Sequence, residues 1–204
     1  IIQSVTIISL MGGMMAYILI GGSFFRMLTY GVFGSAGAYH VLFWAAMSVV
    51  VALGLSMVKR TEIVMLVCMI AIIALIFFIS IPYLEVDNFS RSDLSNFFFP
   101  YGITLFAFSG VVAIPAIRDI LQGSEGKMKK RIIIGTLIPA VLYALFVFAV
   151  VGVTGLHTSE DALSGLNAVL GMPVKLLGAL FGMLAIATSY IVVGLYLRDM
   201  LWYD

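Results

Sequence analysis

Six uncharged stretches, each long enough to cross a lipid bilayer, divide this chain: residues 1–25, 27–58, 63–84, 94–117, 132–156 and 176–197. A spanning helix needs roughly 20 mostly apolar residues, because the hydrocarbon core is about 30 Å thick. Backbone N–H and C=O groups find no water in that layer, so a span must satisfy them internally, as a helix does. Composition points the same way. Hydrophobic residues make up 63% of the 204 and charged residues 10%, whereas soluble domains carry about 25% charged residues. Too little polar surface is present to cover a water-soluble core. The fold class is all-α integral membrane protein.

The chemistry of the connections places six helices near 1–25, 38–58, 62–84, 98–121, 131–155 and 174–201. Residues 28–38 contain Gly31, Gly34, Ser35 and Gly37 and read as a loop or short surface element. Residues 85–97 form a polar link. Thr158-Ser159-Glu160-Asp161 reads as a helix N-cap with acids in the first turn. It opens a short helix over about 159–170, closed by Gly171 and Pro173. All of this forms one transmembrane domain. The chain starts at Ile1 within an apolar run and stops soon after a helix, so it reads as an internal piece of a longer protein. No signal peptide is visible.

Lysines and arginines set the orientation. Lys59, Arg60, Arg118, Lys127, Lys129, Lys130, Arg131 and Arg198 fall on one side, eight against Arg26, Arg91 and Lys175 on the other. The positive-inside rule puts the larger set in the cytoplasm, with both ends of the chain. The opposite loops are acidic, with Glu85, Asp87, Asp93, Glu160 and Asp161. The basic cluster at 127–131 is explained by topology and lipid head groups and gives no sign of nucleic acid.

The fourth helix stands apart. It reads Pro100-Tyr101-Gly102-Ile103-Thr104-Leu105-Phe106-Ala107-Phe108-Ser109-Gly110, with Pro115 five residues on. Pro115 lacks the N–H that would bond Val111 O, and Gly110 eases departure from helical dihedrals. Two readings stand side by side. One is a proline kink in a packed helix. The other is a broken helix at mid-membrane, whose freed backbone groups bind the charged ends of a small solute. Thr188-Ser189 places two hydroxyls at the middle of the last helix. Such hydroxyls ordinarily bond their own backbone or a neighbouring helix; together with carbonyls they also suit a hard cation. Tyr17 is the phenol well inside the first helix. It reads either as a ligand contact or as a buried tyrosine bonded to a carbonyl. Gly12-Gly13 and Gly21-Gly22 on that helix suit close packing.

No His, Cys or carboxylate cluster has metal-ligand spacing, and no nucleotide or hydrolase fingerprint appears. Catalytic residues, a bound metal and a cofactor are therefore not expected. The lone Cys68 allows no intrachain disulfide. Deep in the spans no acidic or basic residue is expected, so a coupling ion would use neutral oxygens or helices outside this chain.

Phe106-Ala107-Phe108-Ser109-Gly110 through Ile114-Pro115 resembles the sixth transmembrane helix of the amino acid/auxin permease family, and within it the prokaryotic aromatic amino acid (tryptophan/tyrosine) permeases. Gly135-Thr136-Leu137-Ile138-Pro139 is similar to the start of that family's seventh helix, Ala187-Thr188-Ser189-Tyr190 to its eighth, and Tyr17 with Gly21-Gly22 to its third. The resemblance implies a LeuT-like fold of two inverted five-helix repeats, of which this chain holds helices three to eight. It also implies ion-coupled symport of amino acids across the cytoplasmic membrane. Phe106, Ala107, Phe108, Ser109, Gly110 and Tyr17 would then contact the amino acid, and Thr188 and Ser189 a coupling cation, Na+ or H+. Family members commonly carry an acid after the helix-six proline; here Asp119 matches inexactly and takes no role. The alternatives are a membrane-embedded lipid-modifying enzyme, and a channel or structural membrane subunit.

Overall fold

In a computed structural model, residues 2–53, 55–90, 97–107, 126, 128–159 and 162–203 are described. Seven α-helices occur among them: α1 Ile2–Leu28, α2 Ala36–Ala52, α3 Leu55–Ser80, α4 Tyr101–Ala107, α5 Met128–Thr154, α6 Leu163–Leu170 and α7 Met172–Tyr203. The described residues contain no strand. Among the described residues, four helices are long and apolar enough to cross a membrane: Val5–Leu28, Met57–Tyr83, Met128–His157 and Met172–Arg198. The apolar α2 has 17 residues, or roughly 25 Å at a helical rise of about 1.5 Å. The fourth expected span is described only over α4, and the proposed break at Ser109-Gly110 and Pro115 lies outside the described residues.

α7 is the central element. It runs antiparallel to α1: Gly182 faces the Phe24 ring, and Gly194 meets Met14 and Val51. It runs parallel to α2, where Phe43 and Ser48 meet Tyr190 and Val51 O meets Arg198. It runs antiparallel to α3: Val58 packs with Ile191 near one end, and Ile72 and Ile76 cluster with Val174 and Leu166 near the other. α5 closes this second cluster with Val150 and Val153. Most of the burial follows these seams. Val5, Ile8, Met11, Met15 and Leu19 form an exposed stripe along α1, the apolar exterior expected of a helix facing lipid or further helices rather than water.

Three local differences from the sequence expectation have physical causes. First, the turn between α2 and α3 falls after Ala52, not at Lys59-Arg60. Leu53 N–H donates to Val49 O at 3.0 Å and closes the last turn. The Arg198 guanidinium donates to Val51 O at 2.9 Å, a cation at a helix C-terminus, where exposed carbonyls favour it. Lys59 and Arg60 therefore lie inside α3. Second, the short helix starts at Leu163 rather than 159. Ala162, with φ 57°, sits at its start, and Ser159 caps from further upstream, accepting from Gly165 N–H at 2.8 Å. Glu160 and Asp161 lie outside the described residues. Gly171, at φ +79°, turns the chain, and Pro173 falls in the first turn of α7, where its missing N–H costs nothing. Third, only one glycine pair packs. A Cβ on Gly21 would meet the Phe43 ring and one on Gly22 the His40 backbone, whereas Gly12 and Gly13 have nothing within 4 Å.

Two loops cap one end of the bundle. Tyr39, fully buried, anchors residues 29–35: its hydroxyl accepts from Phe33 N–H at 2.6 Å and from Thr29 Oγ1 at 3.2 Å, and its ring meets Phe25 and Phe33 edge-on. On the same end, Gly152 O accepts from Glu85 N–H and Asn88 Nδ2, each at 2.9 Å, and Phe89 stacks on Phe148 at 4.7 Å.

Candidate functional site

Tyr17 and the Thr188-Ser189 step are brought to one level. Met14 meets Gly194 and Phe24 meets Gly182. Tyr17 lies between the two α1 residues, and Thr188, Ser189 and Tyr190 lie between the two glycines of α7. Spacings of three and four put Met14, Tyr17, Gly21 and Phe24 on one stripe of α1, the stripe that faces α2 and α7. Tyr17 is half-buried there. Thr188 marks the midpoint of the 32-residue α7, so this level is the middle of the central helix.

The hydroxyls of Thr188 and Ser189 both donate to Ala185 O, at 2.9 and 3.0 Å. That is the ordinary arrangement of hydroxyls in membrane helices. It has a chemical consequence: with its hydrogen committed to the helix, each oxygen presents only acceptor lone pairs to the surroundings. Both residues are half-buried. Of the expected substrate contacts on the fourth span, Phe106 and Ala107 end the described part of α4, and Phe108, Ser109 and Gly110 lie outside the described residues.

Two features escaped the sequence reading. A cavity of about 550 Å³ opens between α1, α2 and α7, lined by Met14, Ser48, Val51, Ala52, Tyr190, Gly194 and Arg198. Its polar wall is the Ser48–Tyr190 hydroxyl pair, 3.0 Å apart, with the Arg198 guanidinium beyond. The signals were present: a lone serine inside α2, a tyrosine next to the Thr-Ser step, and a cation late in α7. Their convergence depends on α2 and α7 running parallel, which no local pattern encodes. The second feature is Glu62. It was expected at the mouth of the third span; because α3 begins at Leu55, it stands two turns inside the helix.

The comparison with protein families is decisive. The model of the tryptophan/tyrosine permease family matches residues 1–203. This chain belongs to that family. It is therefore a multi-pass membrane transporter of the aromatic amino acid permease kind, and not an enzyme. Neither curated proteins nor solved structures gave a match. A permease needs a polar, solute-sized site inside an apolar bundle. In this permease Thr188, Ser189, the Ser48–Tyr190 pair and Arg198 form a line of half-buried or paired polar groups along the last half of α7, beside α1, α2 and α3.

Proposed function

We propose that this permease is a secondary active symporter, carrying an aromatic amino acid together with Na+ or H+ across the cytoplasmic membrane. The observation that carries the reading is the family match over residues 1–203, and the level shared by Tyr17 and Thr188-Ser189 supports it. An aromatic side chain calls for aromatic and apolar walls, the role assigned in this reading to Tyr17, Phe106 and Phe108. The ammonium and carboxylate groups call for backbone donors and acceptors at mid-membrane. A break at Ser109-Gly110, ahead of Pro115, frees such groups. The acceptor oxygens of Thr188 and Ser189, at the middle of α7, suit a positive charge. On a LeuT-like scaffold, alternating access is then a rocking of the bundle that contains the break against the remaining helices.

Direction in the membrane follows from charge. Lys59, Arg60 and Arg198 share one end of the bundle, because α3 starts where α7 finishes. Lys129, Lys130 and Arg131 open α5, whose far end packs beside the end of α3. This end faces the cytoplasm. Arg26, Glu85, Asp87, His157 and Lys175 occupy the other.

The test is uptake by the complete protein in proteoliposomes. Saturable tryptophan or tyrosine uptake that requires an inward Na+ or H+ gradient is the expected result. Uptake indifferent to both gradients would overturn symport, and steady conductance in planar bilayers would mark a channel.

A further inference from the structure

α3 carries a carboxylate where a transmembrane helix tolerates one only for a reason. Glu62 is seven residues past Leu55, roughly 10 Å inside the helix at a rise of about 1.5 Å per residue. Across from it is Thr188, at the midpoint of α7. Glu62, Ile63, Leu66 and Met69 of α3 and Thr188 of α7 line one cavity of about 260 Å³. Glu62 Oε1 is buried and has no hydrogen-bond partner among the described residues. Charged side chains within membrane spans are rare and ordinarily face a partner or a functional cavity.

The chemistry of the walls selects what Glu62 binds. Ionised, the carboxylate would hold its charge against Ile63, Leu66 and Met69, a costly arrangement without donors. Protonated, it is neutral and gains one O–H donor. Thr188 Oγ1 has already given its hydrogen to Ala185 O, so what it offers to the shared cavity is an acceptor lone pair. A metal cation asks for a shell of several oxygens, as hard cations do; these walls offer one carboxylate and one hydroxyl. The other described ionisable groups on the packed elements stand outside the cavity. Lys59 and Arg60 precede Glu62 on α3, and Cys68 follows it. On α7, Arg198 is engaged with Val51 O and Tyr190 with Ser48, while Lys175 and Tyr196 lie elsewhere along the helix. Lys129, Lys130 and Arg131 open α5, Tyr143 lies further along it, and Tyr39 and His40 open α2 at the opposite end.

We propose that Glu62 is a membrane-embedded proton-binding residue of the transport cycle, with Thr188 accepting the hydrogen bond of its protonated form. Binding adds one proton from water on one side to one carboxylate oxygen and cancels its charge; release returns that proton to water on the other side, and no bond to the substrate forms. The neutral form lets α3 and α7 stay packed, while the ionised form draws water into the seam and favours its opening. The coupling role rests on the symport reading above, choosing H+ as the ion.

The experiment uses the complete protein in proteoliposomes, with three readouts: tryptophan counterflow without any gradient, accumulation driven by an inward proton gradient, and proton uptake on adding tryptophan. Glu62→Gln, which mimics the neutral form, is expected to keep counterflow and lose both accumulation and proton uptake. Glu62→Gln with wild-type accumulation and proton uptake overturns the proposal. Infrared difference spectra between two pH values add a readout independent of transport. The wild type should show a protonated-carboxyl band that Glu62→Gln abolishes and Thr188→Val shifts; a band unchanged in both variants overturns the assignment. If Glu62→Gln does not insert, Glu62→Asp decides, since a displaced pH profile of uptake supports the role and an unchanged one refutes it. A wild type that carries no amino acid but retains the Glu62 band would count against the symport reading and leave the proton site standing.

Discussion

Tyr190 shows how one side chain can tie two helices. Its ring is buried at 1% exposure and meets Phe43 edge-on, and its hydroxyl reaches Ser48 of α2. Removing that hydroxyl leaves a polar partner on α2 without its bond. Tyr190→Phe is expected to lower stability by about 1 kcal/mol, read as a lower Tm in detergent. A double-mutant cycle with Ser48→Ala should give a coupling near 0.6 kcal/mol, the average for hydrogen bonds between membrane helices. Coupling of zero would mean that the pair is held by packing alone. The hydroxyls of Thr188 and Ser189 were visible in the sequence as a pair. Their shared acceptor, Ala185 O, follows from ordinary helix geometry. What they face does not, because it depends on which helix packs there.

At the scale of the element, close approach decides which glycines matter. Gly22 lies against the His40 main chain, which cannot move aside as a side chain can. Gly22→Val should therefore force α1 and α2 apart, at a cost of about 1–3 kcal/mol typical of overpacking. Gly12→Ala, with open space around it, should be neutral or gain about 0.5–1 kcal/mol from helix propensity. Thermal unfolding of the two variants checks the contrast; equal losses would refute the packing assignment. The sequence offered the two glycine pairs as equivalents, since spacing alone does not say which face meets a neighbour. The junction of α2 and α3 teaches a similar lesson. Lys59-Arg60 suggested a loop because charge is costly in lipid, yet long basic side chains reach the interface from inside a helix. The α2 terminus is instead fixed by Arg198, 147 residues away.

For the whole molecule, the antiparallel packing of α3 on α7 puts Lys59, Arg60 and Arg198 at one end and leaves Arg26 and Lys175 at the other. With Cys68 replaced by Ala, a membrane-impermeant thiol reagent should label Asp87→Cys or His157→Cys from outside intact cells. Lys129→Cys should react only after permeabilisation. The reverse pattern would invert the orientation. Transport itself is tested by Gly110→Leu, which should abolish tryptophan uptake while leaving membrane insertion intact, because a bulky side chain there occupies the backbone site proposed for the substrate. Normal uptake by that variant would return the fourth span to a simple proline kink.

The sequence by itself determined that this chain is a helical membrane protein, where most of its spans lie and which family it belongs to. Those properties are written in local runs of apolar residues, in the distribution of lysine and arginine, and in short motifs such as Phe106–Gly110 and Thr188-Ser189. Tertiary structure alone decided that α7 is the centre, that Tyr17 stands level with Thr188, that Arg198 ends α2, and that Glu62 stands half-buried at the α3–α7 seam beside Thr188. The physical reason is that hydrophobicity drives a helix into the bilayer without choosing its neighbours. Neighbours are chosen by complementary surfaces (Gly182 with Phe24, Gly22 with the His40 backbone, Ser48 with Tyr190), and each such pair joins residues that no local pattern connects.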